Sequence, residues 1–297
     1  MKNLYKITLL VFVSILCSFM FTSCYDDYVY DYIPMVYFSS QQPLRTVIAD
    51  RDMSIKVGVV IAGKREVDTN DWATFDVNET LLENTSLTLL PPSYYTLSDE
   101  TTMKVRDKAV AIADVDISFT DAFYADPLST SLHYALPLEI TGSSCDSIVS
   151  SKSTTIVAVK YESTYAGTYW VQGSVETLDE NGNVVSTDSY NNNDLSTNIT
   201  RTLSTINRTK LERAGLANFP TSTLNQKLIV TFNGTDLTLS SADDGVEVLD
   251  GTGTYDPDAK TLSLDYKFVV DGVTYHSVET LTLRQDIVKD LRYEEWS

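Results

Sequence analysis

Apolar and polar residues alternate strictly along much of the chain. Between Met53 and Ile61 the apolar residues Ile55, Val57 and Val59 share one face, and Ala73, Phe75 and Val77 repeat the pattern. Successive strand residues point to opposite faces, so a period of two predicts half-buried β-strands. Similar runs at Met35 to Phe38, Ser86 to Leu90, Thr102 to Val105, Ala109 to Phe119, Leu136 to Ile140 and Thr154 to Val159 are divided by polar turns and by Pro91-Pro92. Short strands at this spacing predict a β-sandwich over residues 35–160.

The pattern breaks near Tyr161 to Tyr165 and a second strand series starts at Gly167-Thr168-Tyr169-Trp170. Asn181-Gly182, Asn233-Gly234 and Asp271-Gly272 sit between alternating runs, where Asn, Asp and Gly tolerate the positive φ that tight hairpins require. One short helix is expected here. Thr209 and Glu212 have capping-box spacing, and Leu211, Ala214 and Leu216 would form its buried stripe.

The first 34 residues follow neither pattern. Lys2 and Lys6 precede an uncharged run from Ile7 to Phe21, and Thr22-Ser23 lead into Cys24. This is the order of a secretory signal, and the run is shorter than the roughly 20 residues that cross a bilayer core. Phe21-Thr22-Ser23-Cys24 resembles a bacterial lipobox, which implies a signal peptide over residues 1–23 and a diacylated, membrane-anchored Cys24. Residues 24–34 are an acidic, Tyr-rich tether; their acidic residues resemble the export tag of Bacteroidota lipoproteins, implying an outward-facing outer-membrane location.

Composition narrows the choice of partner. The formal charge is −19, and −21 once Lys2 and Lys6 leave with the signal, a surface that excludes nucleic acid as a natural ligand. Neutral sugars suit this charge better than acidic ones unless a local basic patch exists. With Cys17 removed and Cys24 acylated, Cys145 is alone and no internal disulfide is expected.

Three segments carry a family resemblance: Gly63-Lys64-Arg65-Glu66-Val67-Asp68, Leu89-Leu90-Pro91-Pro92-Ser93-Tyr94-Tyr95-Thr96-Leu97 and Tyr134-Ala135-Leu136-Pro137-Leu138-Glu139-Ile140-Thr141. Residues 35–160 resemble the Ig-like N-terminal domain of surface lipoproteins from Bacteroidota polysaccharide-utilisation loci, a domain that also precedes family-18-type glycosidases. Leu291-Arg292-Tyr293-Glu294-Glu295-Trp296 resembles the end of the β-domain that often follows it. The expected fold is therefore all-β: an Ig-like sandwich over 35–160, then an antiparallel barrel or sandwich with one short helix over 161–297. The resemblance implies a noncatalytic glycan-binding surface lipoprotein that works with a TonB-dependent transporter complex.

Candidate chemistry is sparse. His133 and His276 stand apart in sequence, no Gly-x-Ser-x-Gly elbow is present, and no cofactor or metal site is expected. Asp188, Asn191, Asn192, Asn193 and Asp194 crowd one loop without EF-hand spacing and read as a polar hairpin loop. The sugar-binding candidates are aromatics off the core phase. Trp72 falls with Thr74 and Asp76, and Trp170 with Gln172 and Ser174, so Trp72, Trp170 and Gln172 are the expected ligand contacts; Tyr94, Tyr95 and Tyr190 are lesser ones. Two other functions remain open, a surface adhesin that binds a protein and a hydrolase in the C-terminal domain.

Overall fold

The alternating runs become strands of two sheets, joined by a four-residue connection. The computed structural model describes residues 33–219, 227–242, 247–285 and 294–296. The signal segment, Cys24, the tether as far as residue 32 and Leu291 to Tyr293 lie outside the described residues. Among the described residues, no helix is long and apolar enough to cross a membrane.

The first sheet contains β1 (Met35–Phe38), β2 (Leu44–Ile48), β3 (Ser54–Ala62), β4 (Trp72–Val77), β5 (Thr88–Leu89), β6 (Tyr95–Leu97), β7 (Thr102–Val105), β8 (Ile112–Phe119), β9 (Tyr134–Ser143), β10 (Ser147–Ile148) and β11 (Thr154–Glu162). Its main path runs β10-β1-β3-β8-β7-β4-β9-β11-β2, with β5 on β9 and β6 on β8. This sheet folds over itself as a half-barrel or sandwich, because Val36, Val59, Phe75, Met103, Val115, Leu136 and Val157, from strands all along that path, share one core. The one α-helix among the described residues, α1 (Asp121–Ala125), inserts Phe123 and Tyr124 into the same core.

The second sheet contains β12 (Gly167–Leu178), β13 (Val184–Tyr190), β14 (Ile199–Thr205), β15 (Lys210–Ala214), β16 (Lys227–Asn233), β17 (Asp236–Ser241), β18 (Glu247–Asp256), β19 (Thr261–Val270) and β20 (Val273–Leu283). Pairing of β12 with β20 closes eight of these strands into an antiparallel barrel, with β13 attached to the outer half of β12. Closure removes the free sheet edges. Asp271-Gly272 makes a two-residue hairpin with φ of 49° and 78°, joining Val270 to its partner Val273.

One expectation is overturned. The segment after Thr209 is strand β15, paired with β14 and β16, and not a helix. Leu211 and Arg213 both point into the barrel, so the true period is two. An arginine at an interior position hides that period from a hydrophobicity reading.

The halves are locked together at both ends of the second sheet. Arg208 donates to both Asp50 carboxylate oxygens and to Asp121, stands 5.7 Å from the Tyr124 ring, and its carbonyl accepts from Ser163 Oγ at 2.8 Å. The C-terminus returns to the first sheet, where Glu294 O accepts from Leu44 N at 2.8 Å and Trp296 Nε1 donates to Ile156 O at 2.8 Å.

Candidate functional site

Alternation along β12 sends Tyr169, Val171 and Val175 into the barrel and leaves Thr168, Trp170, Gln172 and Ser174 on its outer wall. Antiparallel register then decides their neighbours. Trp170 lies between Thr200 of β14 and Thr282 of β20, Thr168 lies beside Thr202, and Gln172 beside Thr280. The half-buried indole is thereby framed by hydroxyls on both flanking strands.

Gln172 spans the gap where β13 ends and β14 begins. Its Nε2 donates to Asn191 Oδ1 at 2.9 Å and to Asn192 O at 2.7 Å, fixing the connecting loop against the wall. A hollow of about 420 Å³ opens here, lined by Gln172, Ser174, Ser189, Asn191 and Thr280. On the other side of Trp170 a cleft of about 590 Å³ reaches the first domain. Thr168, Thr202, Ser204, Thr205 and Arg284 line it from the barrel, and Thr130 and Glu162 from the first domain. Glu162 accepts from the Thr205 hydroxyl and pairs with Lys160 at 3.6 Å. The Arg284 guanidinium stands 5.9 Å from the Trp170 ring centre, and its amide donates to Thr168 O at 2.9 Å. Such concave, domain-bridging surfaces with a few convergent polar groups are where ligand sites concentrate.

Directly beneath this wall the barrel encloses a charged pair. Arg213 and Glu279, both fully buried, meet in two bonds of 2.5 and 3.0 Å. Tyr266 and Tyr190 donate their hydroxyls to the same carboxylate at 2.9 and 3.0 Å. Burial alone would push the Glu279 carboxyl up, but the Arg213 charge and these donors outweigh it and hold the group below the usual glutamate value. Burial, with the Glu279 charge, pushes the Tyr190 phenol up, so it stays a neutral donor. Arg213 Nε alone in this cluster has no hydrogen-bond partner, and the Tyr190 hydroxyl is engaged by Glu279 and Ser277.

The other sequence candidates disperse. Trp72, 37% exposed, opens β4 on the first sheet beside Lys104, over a loop held by the buried Asp71, which accepts from Lys64, Ser144 and Asp68 N. Trp72 and Trp170 therefore occupy different sheets, and Gln172 alone accompanies Trp170. Tyr94 and Tyr134 both donate to Asp126, which ties Tyr94 into the first-domain fold. Tyr95 packs against the first core. His276 sits on the barrel wall between Glu176 and Asp265, at 3.2 and 2.8 Å. Burial would lower its pKa, yet its hydrogen bonds to the Asp265 and Glu176 carboxylates carry it above 6.5. Asp188, expected in the polar loop, lies within β13 and accepts from Asn218, while Asp194 caps the turn Leu195–Thr197. Among the described residues no group of three or more His, Cys, Asp and Glu is placed to hold a metal ion.

Sequence reasoning missed Thr200, Thr202, Thr280, Thr282 and Arg284. The threonines were visible as polar positions of alternating runs, but their place beside Trp170 depends on register between strands distant in sequence.

Two family models match the chain. One described as "-like, N-terminal domain" covers residues 29–147, and one described as "-like, C-terminal" covers residues 153–282. No curated protein matches the sequence. Among solved structures, a Bacteroides ovatus protein of unknown function superimposes with a TM-score of 0.74 at 21% identity, covering 86% of this chain and 95% of that one. A second from Bacteroides ovatus, also of unknown function, gives 0.44 at 14% identity over 84% and 94%. A third, described provisionally as a carbohydrate binding protein from the same species, gives 0.32 at 12% identity over 89% and 86%. These last two superimpose too loosely to bear on this chain. The chain is thus a two-domain all-β protein whose halves match these N-terminal and C-terminal family models in order, with the fold of the first Bacteroides ovatus structure.

Proposed function

We propose that the protein is a noncatalytic glycan-binding lipoprotein of the outer membrane, anchored through Cys24, facing outward and assisting polysaccharide capture beside a TonB-dependent transporter complex. The observation that carries the binding half is the outer wall of the barrel, where Trp170 is set among Thr200, Thr282, Thr168 and Gln172 next to a domain-bridging cleft. An indole offers a flat apolar face to the C–H side of a pyranose, while hydroxyl and amide side chains exchange hydrogen bonds with its hydroxyls. Hydrolysis of a glycoside takes two carboxyl groups flanking the bond. Among the described residues Glu162 is the one carboxylate lining the cleft, and Thr205 and Lys160 hold it. That arrangement favours retention of a sugar over its turnover.

Two measurements test this reading. Trp170→Ala is expected to weaken binding in a glycan panel by about tenfold or more, the loss typical of a central aromatic anchor. Its unfolding temperature should stay near that of the parent, because the side chain lies on the outer wall. Undiminished binding would remove Trp170 from the site. For the anchor, Cys24→Ala should abolish fatty-acid labelling and release the protein from the membrane fraction; label that persists would overturn it.

A further inference from the structure

Arg284 lies beside the Trp170 platform in a chain of net charge −19. Arg106 is matched to Asp114 and Asp116, Arg208 to Asp50 and Asp121, and Arg213 to Glu279, whereas the Arg45 and Arg201 guanidinium groups donate to backbone carbonyls. Among the described residues no carboxylate pairs with Arg284, although acids outnumber bases nearly two to one, 41 to 22. Its guanidinium faces a cleft whose other charged lining group, Glu162, is engaged by Thr205 and Lys160. Backbone position is secured independently, by the amide bond to Thr168 O. At 5.9 Å the guanidinium carbon stands over the Trp170 ring at the outer limit of a cation–π contact, so charge and aromatic face address the same space.

A planar guanidinium held beside an aromatic face presents a fork that matches a carboxylate in two parallel hydrogen bonds. A six-membered sugar ring lying on the indole would carry a C6 carboxylate toward that fork. We propose that the Trp170 site selects uronic-acid-containing glycans, with Arg284 as the residue that recognises the carboxylate. The inference rests on the glycan-binding reading and narrows it to an acidic sugar, against the bulk charge of the protein. A single local cation suffices, because the Debye length is about 8 Å at physiological salt and distant surface acids are screened.

The test is affinity electrophoresis of the full-length protein in detergent against polygalacturonate and alginate, each beside its carboxyl-reduced neutral form, with a neutral glycan panel in parallel. Binding to at least one acidic polymer is expected, weakened about tenfold or more by carboxyl reduction and by Arg284→Ala, the scale of one charge-assisted hydrogen-bonded pair. Arg284→Lys should recover only part of the loss, since an ammonium keeps the charge but not the fork. Equal binding of acidic and reduced polymers, an Arg284→Ala variant that binds like the parent, or binding confined to neutral glycans overturns the carboxylate assignment while leaving the Trp170 platform standing. No binding to any polymer overturns both readings.

Discussion

Replacing Glu279 by alanine is expected to destabilise the barrel by about 3–5 kcal/mol, because it leaves the Arg213 guanidinium charged, fully buried and without its counter-ion. The hydroxyls of Tyr266 and Tyr190 lose their acceptor in the same step. Removing both charges, with Arg213→Met and Glu279→Leu together, should cost less than Glu279→Ala alone, since well-packed apolar groups carry no desolvation penalty. Chemical unfolding of the full chain, followed by a signal from the barrel, measures both. A Glu279→Ala barrel within about 1 kcal/mol of the parent would show that the pair is not what holds the interior.

Acid gives the same pair a second signature. The folded Glu279 carboxyl titrates below its ordinary value of 4.5, so its stabilisation is fully present above that value and is lost as pH falls through the depressed one. The stability difference between parent and Glu279→Ala should therefore hold steady from neutral pH down to about 5 and shrink below that. A difference that grows on acidification would have the wrong sign.

The second large effect is expected at Gly173. A Cβ built there would stand 2.4 Å from Val278 O and 3.1 Å from Glu279 Cα, both backbone atoms of the strand that closes the barrel. No flexible side chain can yield, so β12 and β20 must separate. Gly173→Val should cost about 3 kcal/mol, at or beyond the upper end for overpacking, and should also weaken glycan binding by shifting Gln172 and Trp170 on the same strand. Ser174→Ala, one residue on and facing the open wall, provides the comparison and should leave stability within about 0.5 kcal/mol. A stable Gly173→Val protein with intact binding would mean that the seam adjusts without moving the platform.

Much of this architecture was readable from local chemistry. The alternation of Ile55, Val57 and Val59 or of Phe75 and Val77 states which face is buried before any partner strand is known, because side-chain direction in a strand has a period of two. The hairpin at Asp271-Gly272 was equally legible, since its φ values of 49° and 78° suit few residue pairs. Trp170 and Gln172 could be placed on an outward face for the same reason. By contrast, β15 was misread as a helix, because Arg213 interrupts its apolar alternation and its reason for being inside is Glu279, 66 residues away.

What the sequence determined by itself was the strand content, the break between the halves and the outward phase of Trp170 and Gln172. Tertiary structure alone decided that β12 meets β20 to close the barrel, that Thr200 of β14 and Thr282 of β20 flank Trp170, and that Arg284 lines a cleft shared with the first domain. It also decided that Trp72 stands apart on another sheet and that Trp296 returns to clasp the first domain. The physical reason is one of range. Side-chain phase is a property of neighbouring residues, whereas strand register, barrel closure and charge pairing depend on which distant segments reach the same place.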